Sequence, residues 1–252
     1  MTRQVKAVIS DIDGTLVEGS EVLPSDRVRD AILEAKKKIH FGLATARQYQ
    51  KTKHLFEYLN LSGPSILSNG AQVVEARTGK MIVEHPIDKN ALFEVCRRLK
   101  NLNISWWIQD NGVDFFYRNY TPDKPFVVVA NKVTQEQAER ITQKLSDIED
   151  VIVNKASVYA DRVDVLITNP KATKQYAVFE IAKILDIKPK EMIGIGDGYN
   201  DLPLLMACGL KIAMGNAVPD LKVVADYIAP TVEKDGLADT LERFVIPYQP
   251  AG

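Results

Sequence analysis

Val5-Lys6-Ala7-Val8-Ile9-Ser10-Asp11-Ile12-Asp13-Gly14-Thr15-Leu16 stands near the start of a 252-residue chain and decides its fold. The continuous apolar run Ala7-Val8-Ile9 reads as a buried strand, and the interior of a parallel sheet is the usual place for one. It delivers Asp11 and Asp13 at its C-terminal end, where open α/β sheets hold their ligands. Gly14 then allows a tight turn. Carboxylates this close repel each other unless something neutralises them, so a divalent cation is a natural third party. Asp-Gly alone marks an ordinary turn more often than a site. A hydrophobic strand followed by Asp-x-Asp-Gly-Thr-Leu reverses those odds.

Working outward, the chain alternates strands and helices. Ser25 or Asp26 can cap a helix with Val28, Ala31, Ile32 and Ala35 on one face. The loop before it, 17–24, is too long for a tight strand-to-helix connection. A second strand, 39–44, ends in Thr45-Ala46-Arg47. Thr45 read by itself is an N-cap, and helix N-termini also attract phosphate. A helix over 48–59 and a short strand over 65–67 continue the rhythm of a parallel sheet. Segments 72–75 and 80–83, joined through Thr78-Gly79, form a hairpin.

From about His85 the grammar changes. Helices carrying Leu92, Val95, Cys96 and Leu99, then Ala138, Ile141 and Leu145, alternate with strands paired through turns such as Asp110-Asn111-Gly112. This predicts a compact α+β insert over 86–168. Parallel grammar resumes with Lys174, which opens a helix bearing Ala177, Ile181, Ile184 and Leu185. A lysine there is usually solvated, yet a cation is unfavourable at a helix N-terminus and needs a reason. Met192-Ile193-Gly194-Ile195-Gly196 is a second buried strand, and it leads into Asp197-Gly198-Tyr199-Asn200-Asp201. A dinucleotide fingerprint would need glycine where Tyr199 stands. Two further acids thus arrive at a second strand end. Strands over 211–214 and 226–228 and a helix with Leu237, Leu241, Phe244 and Val245 complete the core.

These stretches together resemble the haloacid dehalogenase superfamily of phosphotransferases, class IIB or Cof-type. The first motif matches at Asp11 and Asp13. The second matches at Thr45, with Ala46 where relatives carry Gly, followed by Arg47. The third matches at Lys174, with Gln175 in place of the usual Gly, and the fourth at Gly196-Asp197-Gly198-Tyr199-Asn200-Asp201. Met214-Gly215-Asn216-Ala217 and Lys234-Asp235-Gly236-Leu237-Ala238 also resemble Cof-type endings. The resemblance implies a Rossmann-like, doubly wound parallel-sheet α/β core, 1–85 and 169–252, with an inserted α+β (C2B-type) cap, 86–168. It implies a Mg²⁺-dependent phosphatase acting through an aspartyl-phosphate. In that scheme Asp11 is the nucleophile and Asp13 the general acid/base. Asp11, the Asp13 carbonyl, Asp197 and Asp201 hold Mg²⁺, Asp201 directly or through water. Thr45, Ala46, Arg47, Lys174 and Asn200 serve the phosphoryl group, Asn200 by orienting Lys174 or a metal-bound water.

Charge balance, 32 basic against 33 acidic residues, gives no indication of nucleic-acid or membrane partners. Lys36-Lys37-Lys38 fits a helix C-terminus. Cys96 and Cys208 lie in apolar segments and suggest neither disulfide nor zinc. Asp11 and Asp13 interrupt any signal-peptide core, and no apolar run approaches the ~20 residues of a bilayer span, so a cytoplasmic protein is expected. Small phosphorylated metabolites, of sugar-phosphate or phosphoglycolate type, are the expected substrates. Trp106, Trp107, Tyr117, Arg118 and Arg162 are the cap candidates for contacting them, and core packing explains the aromatics equally well. The alternatives are a phosphomutase of the same superfamily and a catalytically silent metal-binding module. The sequence leaves monomer and dimer equally open.

Overall fold

The computed structural model describes residues 5–19, 22–116 and 121–246. The chain begins with β1 (Ala7–Ser10), α1 (Asp26–Ala35), β2 (His40–Leu43), α2 (Tyr49–Tyr58), β3 (Pro64–Leu67), β4 (Gln72–Glu75) and β5 (Met81–Glu84). It continues with α3 (Lys89–Leu99), β6 (Trp106–Asp110), β7 (Val113–Phe115), β8 (Pro125–Thr134), α4 (Gln135–Leu145), β9 (Ile152–Tyr159) and β10 (Arg162–Thr168). It ends with α5 (Lys174–Ile184), β11 (Met192–Gly196), α6 (Leu202–Ala207), β12 (Leu210–Ala213), α7 (Pro219–Val224), β13 (Tyr227–Ile228) and α8 (Gly236–Phe244).

The central sheet is parallel and five-stranded, in the order β13-β12-β11-β1-β2. β1 lies between β11 and β2, Ser10 level with Ile195 on one side and Leu43 on the other. Every residue of β1 and β11 is buried, as continuous apolar strands between helical layers require. The predicted strand at 65–67 pairs differently from expectation. β3 touches the parallel sheet through a bridge between Ala44 and Ile66, but its ladder is antiparallel, with β4, in the sheet β3-β4-β5. The hairpin β4–β5 offers it a full row of partners, whereas β2 ends at Leu43.

Residues between β5 and α5 build a separate antiparallel sheet, β7-β6-β8-β10-β9. Asn111 and Gly112 both take positive φ and make the two-residue turn between β6 and β7. One face of this sheet, with Ile108, Val128, Ala130, Val163 and Val165, packs on α3 and α4. The other face carries Trp107, Val129 and Leu166 and packs with Ala46, Ala71 and Ala172 of the core. Strand alternation therefore separates two neighbouring tryptophans: Trp106 packs toward the helices and Trp107 toward the core.

The helix faces agree with their sequence pattern, except that Ile184 is exposed at the end of α5. Lys36 is the C-cap of α1, and its ammonium donates to the carbonyls of Leu59 and Asn60 at the end of α2. No helix among the described residues is long and apolar enough to cross a membrane.

Candidate active site

The C-terminal ends of β11, β1 and β2 bring together Asp197, Asp11 and Thr45. The Asp11 N–H donates to the Ile195 carbonyl at 2.9 Å, extending the ladder one residue to hold Asp11 beside β11. Gly14 takes φ 85°, and a Cβ there would stand 2.2 Å from Asp197 Oδ2, so glycine lets the first loop close on the second. Thr15 Oγ1 donates to Asp197 Oδ1 at 3.0 Å across that closure.

Lys174 is the first residue of α5 and is 1 % exposed. Its ammonium donates to Asp11 Oδ1 at 2.6 Å and to Asp201 Oδ1 at 2.5 Å, which is the reason a cation tolerates that helix end. Gly70 lets the helix start approach, since a Cβ at its φ of 104° would lie 2.2 Å from the Thr173 carbonyl carbon. Burial works to lower the Lys174 pKa, but the two carboxylates outweigh it and hold the ammonium charged. The second oxygen of Asp201 accepts from the N–H groups of Asp197 and Gly198, at 3.0 and 2.9 Å.

Carboxylate oxygens of Asp11, Asp197 and Asp201 lie within 4.8 Å of one another. One ammonium among three acids leaves negative charge uncancelled, and the protonation equilibria register it. Burial first, then Asp201, pushes Asp11 well above the carboxylate range, against the pull of Lys174. Burial and Asp201 likewise push Asp197 up to about 7. An all-oxygen, acid-rich donor set short of positive charge fits a hard divalent cation. Asp11, Asp197 and Asp201 are the side chains that would hold it.

Asp13 points elsewhere. Its carboxylate is half-exposed and takes a two-point contact from Arg47, Nε at 2.9 Å and Nη2 at 2.5 Å. Thr45 is buried, and its Oγ1 accepts from the Arg47 N–H at 3.0 Å. The Thr45 carbonyl accepts from Asn69, fastening this loop to the turn 68–70. Thr45 is not the N-cap of α2. That position belongs to Gln48, whose side chain leaves the helix and donates to Asp114 on β7 at 2.6 Å. Lys51 binds the same carboxylate at 2.5 Å. Ala46 stays out of the left-handed region that Ser68 and Asn69 occupy nearby, so the position does not require glycine.

Asn200 donates to Asn69 Oδ1 at 3.2 Å, while Lys174 donates to Asp11 and Asp201. Of the expected cap residues, Trp107 faces the core. Arg162 donates to the Lys132 carbonyl at an exposed sheet end, and Tyr117 and Arg118 lie outside the described residues. Sequence reasoning assigned no role to Thr15, Asn69, Gln48, Asp114 or Asn216. Asn216 donates to the Gly14 carbonyl at 2.7 Å and accepts from Val232, bracing the first loop. Thr15 and Asn216 do sit inside recognisable motifs, which was their one available signal.

The raised acids give a measurable signature. A carboxylate whose folded pKa lies above its unfolded value stabilises the fold below the unfolded pKa, and that contribution is lost as pH rises through the folded one. Metal-free protein therefore loses this contribution as pH climbs toward and past 7. A divalent cation replaces the missing proton, so the Tm gap between Mg²⁺ and EDTA samples widens from pH 5.5 to pH 8. Taking that difference cancels the opposite-signed contributions of His40 and His85, whose pKa values burial lowers. No gap at either pH refutes the cation site, and an equal non-zero gap refutes the proton-for-cation exchange.

Comparison with known proteins gives the same picture. The family model for haloacid dehalogenase-like hydrolases matches residues 8–126 and 117–241. A 5-amino-6-(5-phospho-D-ribitylamino)uracil phosphatase of Bacillus subtilis is 25 % identical over 249 residues, covering 96 % of each chain. A phosphoglycolate phosphatase of Saccharolobus solfataricus is 26 % identical over 243 residues, again covering 96 % of each. Among solved structures, a haloacid dehalogenase-like hydrolase from B. subtilis superposes with a TM-score of 0.85 at 21 % identity, over 95 % of this chain and 99 % of the other. A HAD subclass IIB sugar phosphatase gives 0.80 at 22 %, over 96 % of this chain and 100 % of the other. Strand-end carboxylates, parallel core, antiparallel insert and family match converge: the chain belongs to the haloacid dehalogenase-like hydrolases.

Proposed function

We propose that the protein is a Mg²⁺-dependent phosphatase of small phosphorylated metabolites, working through a phosphorylated Asp11. The observation that carries this reading is the buried contact of Lys174 with Asp11 and Asp201 beside Asp197. The names of its relatives, phosphatases of a ribitylamino-uracil phosphate and of phosphoglycolate, support the same reaction class.

A phosphate monoester dianion repels an anionic nucleophile, so charge must be cancelled and the attack aligned. Mg²⁺, when bound by the acid cluster, supplies that cancellation. An Asp11 oxygen attacks phosphorus, forming an acyl-phosphate bond as the ester P–O bond breaks. Asp13 serves as the general acid, passing a proton to the departing alkoxide. It then takes a proton from water as that water attacks phosphorus, releasing inorganic phosphate and restoring Asp11. Arg47 holds the Asp13 carboxylate from two points and so fixes its aim. Lys174, Thr45, the Ala46 N–H and Asn200 receive the phosphoryl oxygens.

The antiparallel sheet, with 86–168 as its bounds, serves as the cap that covers the leaving group. Its hold on the core through Asp114 supports that role. Two free, buried cysteines suit a reducing compartment such as the cytoplasm. The experiment is p-nitrophenyl phosphate hydrolysis with Mg²⁺ and with EDTA. Activity in Mg²⁺ that disappears in EDTA is the expected result, and full activity in EDTA overturns the metal-dependent scheme.

A further inference from the structure

Ser68, Asn69 and Gly70 take φ 49°, 58° and 104° in succession. Residues other than glycine rarely enter this left-handed region, and a run of three persists only where its surroundings impose it. All three are buried. Such strain gathers at functional sites, where it holds a group in an aim that an unstrained turn would not give. The side chain aimed here is that of Asn69, whose carboxamide oxygen accepts from Asn200 Nδ2 at 3.2 Å across 131 residues of chain.

The turn is fastened on its other sides too. The Ser68 N–H donates to the Arg47 carbonyl at 3.0 Å and the Asn69 N–H to the Thr45 carbonyl at 2.9 Å, so its backbone is one piece with the loop that follows β2. Gly70 lies against the start of α5, where a Cβ would stand 2.2 Å from the Thr173 carbonyl carbon. Ala71, the next residue, packs with Phe126, Val129 and Leu166 of the antiparallel sheet. Asn69 thus stands on a fixed base and reaches the loop after β11, which carries Asp197 and Asp201.

We infer that Asn69 is a positioning residue for phosphoryl transfer, whose Oδ1 turns the Asn200 carboxamide so that its second N–H meets a phosphoryl oxygen. The inference rests on the phosphatase reading above and deepens it. A primary amide carries two protons on its nitrogen and only lone pairs on its oxygen. Rotated by half a turn, Asn200 would present that oxygen to the anionic phosphoryl group and repel it. An acceptor at Asn69 forbids the half-turn, because it would set two oxygens face to face. It engages one proton of Nδ2 and leaves the other to donate. Asn200 Oδ1 then lies on the Gly198 side, 2.9 Å from where a Cβ on Gly198 would stand, so the glycine makes room for this orientation. A donor aimed before the substrate arrives costs no reorganisation at the moment of reaction.

The test is a double-mutant cycle on p-nitrophenyl phosphate at saturating Mg²⁺, with the parent, Asn69→Gly, Asn200→Ala and the two combined. Glycine keeps the left-handed turn and removes only the carboxamide. Asn69→Gly is expected to lower kcat and kcat/KM alike by about tenfold, the scale of one misaimed hydrogen bond, with Tm close to that of the parent. Asn200→Ala is expected to lose at least as much, and adding Asn69→Gly to it to cost less than about twofold more. A merely structural Asn69 would lower the Tm and cost the same factor in both backgrounds. Parent-like kcat in Asn69→Gly, or its full loss repeated in the Asn200→Ala background, overturns the inference and leaves the phosphatase reading standing. A parent that releases no phosphate removes that reading instead. Calorimetric titration with orthovanadate in Mg²⁺, whose vanadium takes the five-coordinate geometry of a transferring phosphoryl group, then decides this inference alone. Binding weakened about tenfold by Asn69→Gly, and unmoved by it in the Asn200→Ala background, supports it. No binding by the parent, or equal binding by Asn69→Gly, overturns it.

Discussion

Asp11→Asn is expected to reduce phosphate release from p-nitrophenyl phosphate by at least about a thousandfold, the scale of losing a covalent nucleophile. The amide is nearly isosteric with the carboxylate, yet its oxygen is a poor nucleophile toward phosphorus. Folding should survive the change. Asp11 is buried beside Asp201 and Asp197, and its own charge is disfavoured there, so a neutral side chain relieves repulsion. The amide oxygen still accepts from Lys174, replacing the carboxylate oxygen that now does so. The expected pattern is therefore lost turnover with a Tm within a few degrees of the parent. Parent-like activity in this variant would exclude the aspartyl-phosphate. Inactivity accompanied by unfolding would make Asp11 a structural residue.

The second large effect is on stability. Lys174→Met removes the one ammonium between Asp11 and Asp201 while keeping most of the side-chain volume. Breaking a buried ion pair from one side typically costs about 3–5 kcal/mol, because the remaining charge is stranded. For a chain of this size each kcal/mol shifts Tm by roughly 2–4 °C, so a fall of about 10 °C is expected. The stranded acids will take up protons or cations instead, and Mg²⁺ should recover part of the lost Tm. Activity should fall with it, since the same ammonium is assigned to the phosphoryl oxygens. Thermal unfolding in EDTA and in Mg²⁺ checks both halves. A Tm within 2 °C of the parent in EDTA would mean that Lys174 carries little of the site's charge balance.

Much of this architecture was legible because its decisive strands obey a strict local rule. A strand covered on both faces must be apolar throughout, and Ala7-Val8-Ile9 and Met192-Ile193-Gly194-Ile195 are. The polar residues that follow then mark the ligand end of the sheet. Lys174 was legible for a different reason, as a cation at the wrong end of a helix. Contacts between short polar side chains far apart in the chain were not. Thr15 with Asp197, Asn200 with Asn69, and Asn216 with the Gly14 carbonyl leave no periodic trace. The antiparallel pairing of β3 escaped too, because a strand of suitable residues does not announce which neighbour supplies its ladder. The tryptophan pair lay between these cases. Alternation guaranteed that Trp106 and Trp107 face opposite ways, but only the packing of α3 and α4 says which of them meets the core.

The placement of β1 between β2 and β11 bears on how the molecule comes into being. Its first neighbour emerges early in synthesis, but its second, Met192–Gly196, arrives only after the antiparallel sheet has been made in full. That sheet and its two helices form a contiguous stretch with their own apolar cluster, all of it made before β11. Joining β1 to β11 closes a loop most of the chain long, a slow and entropically costly contact. Asp11 and Asp197 meet only in that last event. A nascent chain therefore carries the whole antiparallel sheet before Asp197, the acid that Asp11 meets across the parallel sheet, has been made.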